Sequence, residues 1–84
     1  MAEKEIGKIT HFFSKISVAV IKLSDELRVG DTIKIVGHNK EFEQKVESMQ
    51  VEHQNIEVAK ADDDVGLKVD QPVKEGDIVY KITE

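Results

Sequence analysis

The 84-residue chain has no cysteine, no tryptophan and a single proline. Without thiols there is no disulfide staple and no thiolate site for metal or redox chemistry, which suits a reducing cytoplasm. The longest apolar stretch, "ISVAVIKL" at 16–23, is far short of the ~20 residues that span a bilayer. The N-terminus, "MAEKEIGKI", is charged and lacks the apolar region of a signal peptide. The expectation is a soluble, cytoplasmic monomer with no membrane contact. Only five glycines are present, and neither GxxxxGK[ST] nor GxGxxG occurs. No backbone cradle for phosphates is therefore expected, and no nucleotide or other cofactor.

Positive charge is also in deficit. Twelve Lys and Arg face seventeen Asp and Glu, for a net charge of −5, which excludes gripping nucleic acid by bulk charge. The balance is uneven: residues 1–40 carry +2 and residues 41–84 carry −7. This reads as two solvated faces, or as a mildly basic face that meets RNA or an acidic partner. Catalytic constellations are missing as well. His11, His38 and His53 come with no ligand spacing for a metal. Asp62-Asp63-Asp64 lacks the alternating pattern of a calcium loop. Ser14, Ser17, Ser24 and Ser48 have no recognisable base to activate a hydroxyl. Glu41, Glu43 and Glu47 alternate along a strand, where paired acid–base work would need a cleft. No enzyme and no metal site is expected.

What the chain does have is a period of two. "TIKIVG" puts Ile33 and Ile35 on one face, and "VGLKVD" does the same for Val65, Leu67 and Val69. With its β-branched runs, this predicts strands at about 5–12, 16–23, 32–37, 42–53, 65–70 and 77–82. Turn residues separate them at 24–26, 37–40, 61–64 and 70–72. The segment 42–53 fits neither period cleanly and is read as one long strand with a bulge near Ser48-Met49. There is no linker, so residues 1–84 form one domain. Many short strands between turns point to an all-β, six-stranded closed barrel, which leaves no exposed edge.

Two segments echo each other: "LRVGDTIKIVG" at 27–37 and "VKEGDIVYKI" at 73–82. In each, a Gly-Asp pair precedes an apolar run. Glycine supplies the positive φ of a sharp turn into a strand, and the next Asp closes the turn on a backbone N–H. Gly30, Asp31, Gly66, Gly76 and Asp77 are read as structural turn residues, with no ligand required.

These segments, with "KVESMQV" and "ADDDVGLKV", resemble in order the second, β-barrel domain of translational GTPases such as elongation factor Tu, over about residues 6–82. The chain also resembles small translation-elongation-factor-like proteins and the barrel appended to some collagenase-like peptidases that act in RNA modification. The GTPase domain is absent, and "VAVIKL" stands where those factors often carry Gly-Arg. Asp62 occupies the place of a family glycine, and Asp tolerates the left-handed region better than most residues. The resemblance implies a non-catalytic binding module linked to translation or RNA metabolism, docking to RNA or to an RNA-associated protein. The alternative is a protein-binding accessory subunit of a separately encoded peptidase-like or modification enzyme.

For a contact surface, "THFFSKI" stands out. Phe12 and Phe13 point to opposite faces of a strand, so one fills the core. The other is either covered by a neighbour or meets a partner, and the residues themselves leave open which is which. Lys8, His11, Lys15 and Lys22 complete a candidate RNA or partner face, because an aromatic with a basic rim can stack on a base or anchor a protein.

Overall fold

The alternating segments do form strands. A computed structural model describes residues 2–38 and 40–83. Its strands are β1 (Ala2–Phe13), β2 (Val18–Leu23), β3 (Leu27–Arg28), β4 (Thr32–Gly37), β5 (Lys40–Lys45), β6 (Met49–Val51), β7 (Gln54–Ile56), β8 (Val58–Ala59), β9 (Asp64–Lys68) and β10 (Ile78–Thr83). Every ladder is antiparallel. The predicted turn at 37–40 includes Asn39, which lies outside the described residues. No helix among the described residues is long and apolar enough to cross a membrane.

The inward residues include those the alternation names in β4 and β9. Ala19, Ile21 and Leu23 from β2, Ile33 and Ile35 from β4, and Val65 and Leu67 from β9 are buried. They pack with Ile6, Ile9, Met49 and Val79 in one core. β1 runs through the middle of the sheet and pairs with both β10 and β2. Register shifts at Glu5/Gly7 and Ile9/His11 let it change faces, so that Ile6 and Ile9, three apart, both point inward. Between those shifts β1 presses on β2 so closely that a Cβ on Gly7 would sit 2.8 Å from both Ile21 Cγ2 and Lys22 O.

The closed six-stranded barrel does not form. The described residues make an open eight-stranded sheet, ordered β5-β4-β10-β1-β2-β9-β6-β7, and a separate two-stranded sheet, β3-β8. The reason lies in the segment expected as one strand. It breaks after Lys45, and its halves go to different places: β5 to one end of the sheet, β6 beside β9. Buried Val46 fixes the break, its N donating to Asp31 O and its O accepting from Gly30 N, both at 2.8 Å. The sheet still curls until β5 meets the end of β9, where one side chain takes the place of a ladder. Gln44 Nε2 donates to Lys68 O at 2.9 Å, and Gln44 Oε1 accepts from Asp70 N at 2.8 Å. Gln44 is the polar member of the buried set, only 9% exposed, and both ends of its amide are satisfied.

The Gly-Asp turns have a third copy. Arg28-Val29-Gly30-Asp31, Lys60-Ala61-Asp62-Asp63 and Lys74-Glu75-Gly76-Asp77 are built alike. In each, the N of the fourth residue donates to the O of the first at 3.1 Å. The first residue's N donates to the Asp carboxylate, at 3.0, 2.9 and 2.9 Å. The third residue has positive φ, +99° at Gly30, +72° at Asp62 and +93° at Gly76, as a type II turn requires. Each turn also clasps one buried residue of a neighbouring segment by a reciprocal backbone pair. The partner is Val46 for the first, Leu23 for the second and Ile9 for the third. The turns then lead into β4, β9 and β10. Gly66 does not belong with them. It lies within β9, where the alternation of Val65 and Leu67 sends position 66 outward, and no positive φ is involved.

Candidate functional site

The register of β1, β2, β9 and β6 decides what the "THFFSKI" face presents. Phe12 is half-buried and packs against the core, whereas Phe13 turns outward and is 47% exposed. His11 lies beside it, the rings 5.4 Å apart and nearly edge-to-face. The His11 Nδ1 is 2.9 Å from Thr10 O and 3.4 Å from Glu75 Oε1. The lysines do not gather around the aromatic. Lys8 and Lys22 are cross-strand partners, with Asp64 opposite Lys22 on the next strand, and the acid offsets the like-charge pair. That row lies about 13 Å along the strands from the Phe13–Val18 pair, at ~3.3 Å per residue. Lys15 sits at the other end, exposed in the loop between β1 and β2.

A groove of about 250 Å³ opens on this outer face. Phe13, Ile16, Val18 and Val20 give it apolar walls, and Gly66 gives it a floor. One cross-strand row reads His11, Val20, Gly66, Gln50, so the hollow falls where the row lacks a side chain. Ile16, in the loop, is 61% exposed. Asp64 and the Glu52-His53 pair line the far side. Those last two residues form the two-residue turn between β6 and β7, with φ of +51° and +65°. The groove residues beyond Phe13 escaped the sequence reading. A signal was present: a glycine in the middle of an alternating strand marks a close approach or a missing side chain.

Two other hollows are already committed. One of about 290 Å³ is lined by Gly37, His38, Lys40, Pro72, Val73, Lys74 and Asp77. Lys40 Nζ there donates to Pro72 O at 2.6 Å, and Asp77 closes its own turn. In the other, Lys34 is held 2.7 Å from Glu3 Oε1 and 2.5 Å from Glu41 Oε1. The hydrogen bond to Glu3, and then that to Glu41, keep its ammonium charged well above the ordinary lysine range. Among the described residues no three His, Cys, Asp or Glu gather as a metal site would need.

Comparison with known proteins shows the family. Residues 4–79 match the peptidase family U32 C-terminal domain. Over 81 residues, 95% of the chain, it is 44% identical to the protein named uncharacterized protease MJ0090 of Methanocaldococcus jannaschii. The chain spans 20% of that protein's length. Two structures of the C-terminal domain of a putative U32 peptidase from Geobacillus thermoleovorans, one a selenomethionine variant, each superpose with a TM-score of 0.89. They are 19% and 20% identical, covering 95% and 93% of this chain and 93% and 99% of theirs, and show the shared fold. The family match overturns the translation-elongation-factor reading. The Gly-Asp segments that helped to carry it are turns that enter a strand, built like the Asp62-Asp63 turn. Of the likenesses drawn from the sequence, the one to the domain appended to peptidases stands: the chain belongs to the peptidase family U32 C-terminal domain.

Proposed function

We propose that the chain is a non-catalytic accessory module that binds a U32 peptidase-like body, carried on the same polypeptide or on another. The observation that carries this reading is the pairing of family membership with a self-sufficient core. Nearly the whole chain corresponds to a fifth of a protein named as a protease. Yet the buried residues make one cluster from this segment alone. A module that completes its own core meets the remaining four-fifths through its surface. The chemistry of the described residues agrees with binding rather than turnover. Asp31, Asp63 and Asp77 each hold a turn, and Glu3 and Glu41 hold Lys34.

The direct test is titration calorimetry of this chain against the Methanocaldococcus protein from which the 81 matching residues have been deleted. Saturable binding is expected, and the full-length protein, whose own domain occupies the site, should bind the added chain more weakly. No binding at ~100 μM of each partner, equivalent to less than ~5.5 kcal/mol of association energy, would overturn the reading. Peptide hydrolysis by this chain alone would overturn its non-catalytic part.

A further inference from the structure

We propose that the Gly66 groove is the surface by which this module docks to the U32 peptidase-like body, and that it receives an apolar side chain flanked by a Lys or Arg. The inference rests on the reading above and adds the place and the chemistry of contact. Phe13 and Ile16, two large apolar side chains among the most exposed of the described residues, meet at this one hollow, with Val18 and Val20 between them. Single exposed apolar residues need no explanation, but an apolar cluster around a hollow does. The cation follows from the rim. Glu52 and Asp64 line the groove; Lys22, opposite Asp64, offsets that acid in part, but Lys8, Lys22 and Lys68 do not line the groove, so a partner's cation would meet the two acids. The chain as a whole carries −5, which steers it toward a basic surface.

A second observation points to the same place. The turn between β6 and β7 has two residues, and Val51 pairs with Gln54 across it. Both central residues have positive φ, the type I′ geometry that favours Asn-Gly. The chain carries Glu52 and His53 instead. Non-glycine residues held in this region cost stability and recur where a side chain is wanted for contact. Here both side chains line the groove. A second copy of the chain is a poorer occupant. Groove against groove sets Glu52 and Asp64 against their own copies, and insertion of another surface makes a head-to-tail contact that does not close.

The test uses the whole chain and the Methanocaldococcus protein lacking its 81 matching residues as the probe. Gly66→Val reaches into the groove from a position that accepts a Cβ, which meets Val18 Cγ1 at 3.6 Å and Gln50 O at 3.7 Å, ordinary contact distances, and its melting temperature checks that the γ-methyls are accommodated. Glu52→Asn with His53→Gly installs the favoured turn and removes Glu52 and His53 from the rim. Gly66→Val should weaken binding at least ~10-fold with no fall in melting temperature. The double variant should melt no lower than wild type and bind about fivefold more weakly, the direction expected when a strained contact residue is relaxed. On complex formation, Phe13 and Ile16 should become protected from hydroxyl-radical oxidation. If the wild type binds and both variants bind within twofold of it, the groove is the wrong surface and the accessory-module reading stands. If the wild type does not bind, that reading fails and this inference falls with it. If sedimentation shows self-association that Gly66→Val abolishes while probe binding persists, the occupant is a second copy and the proposal is overturned.

Discussion

Replacing Gln44 by Met tests whether a side chain does the work of a ladder at the seam between β5 and β9. The substitution keeps length and approximate volume but removes both ends of the amide. Lost are the bond to Lys68 O at 2.9 Å and the bond from Asp70 N at 2.8 Å. At ~0.5–1.5 kcal/mol net for each, the cost is about 1–3 kcal/mol, with the upper half favoured because two backbone groups lose their partner. In a domain of this size ~1 kcal/mol moves the melting temperature by about 4–8 °C, so ~2 kcal/mol gives a fall of about 8–16 °C. Circular dichroism melts and urea titrations measure it, and the Asp70 amide should exchange faster with deuterium. Gln44→Glu adds a check on sign. A carboxylate still accepts from Asp70 N but confronts the Lys68 carbonyl oxygen, so the folded state favours the protonated acid. Its stability is then present below the ordinary Glu value of ~4.3 and is lost as pH rises through the raised folded value. The deficit against wild type should shrink from pH 7 to pH 4. A Met variant melting within ~1 °C of wild type, with Asp70 exchange unchanged, would refute the seam argument.

The three turns give paired expectations. Gly30→Val should cost more than ~1 kcal/mol, because a β-branched residue resists φ of +99°, and Asp62→Gly should add about 0.5–1 kcal/mol by relieving +72°; thermal melts decide both. Phe12→Ala should destabilise by ~2–4 kcal/mol, since Phe12 packs on the core, whereas Phe13→Ala should stay within ~0.5 kcal/mol; comparable losses in both would contradict the assignment of faces. Two groups held by ion pairs, Asp25 and Lys34, contribute to the pH profile. The Lys4 hydrogen bond, then the backbone N–H of Glu26, hold Asp25 below its ordinary 3.8, so its contribution is present above that value and is lost as pH falls through the lower folded one. Lys34 is raised above 10.5 by Glu3 and Glu41, so its contribution is present below 10.5 and is lost as pH rises through the higher folded value. Urea midpoints at both extremes should show each fall, the acid one blunted in Lys4→Met and the alkaline one in Lys34→Met.

The parts of the fold legible in the sequence were those with a local cause. Alternation named the buried faces of β4 and β9 before any contact was known, because residues two apart share a face. Closure was not legible, because it depends on how residues 46–48 are held. A buried Val46 clasped by a distant turn looks, in sequence, like one more β-branched residue in a strand. β3, β7 and β8 are two or three residues long, too short for any period to register. The turn at 61–64 was legible, and so was the left-handed place of Asp62, but its kinship with the two Gly-Asp turns was not, because the shared element is the Asp that closes each turn rather than the glycine before it. At the site, the aromatic pair was visible but its orientation was not: the register shift at Ile9/His11 decides which phenylalanine faces out. The lysines looked clustered because they are close in sequence, and the strand direction separates them.

Besides Ser17, at φ +55° in the loop between β1 and β2, two places among the described residues depart from the residue that local geometry prefers, and they are compensated differently. Asp62 takes a left-handed conformation where glycine would be easier. It is carried by a turn with three further bonds: Lys60 N to the Asp63 carboxylate, Asp62 N to Leu23 O and Leu23 N to Asp63 O. Those bonds would hold equally well with glycine at position 62, so the aspartate adds nothing that the turn requires. Glu52 and His53 depart twice in succession, on a hairpin of three paired residues at the edge of the sheet, remote from any such clasp. Gln50 and Asn55 join side chains across that hairpin at 3.0 Å, but the bond lies behind the turn and does not relieve its φ angles. A strained turn supported so lightly should be the first part of the sheet to open, and its relief should raise protection locally rather than throughout. Native-state hydrogen exchange can separate the two cases. Glu52→Asn with His53→Gly should slow exchange in β6 and β7 while leaving β4 and β10 unchanged, and Asp62→Gly should slow exchange across the core, because its turn is tied to Leu23. Uniform slowing by the hairpin variant would mean that the turn strain is shared by the whole sheet, and the local cost assigned to the groove's rim would then be wrong.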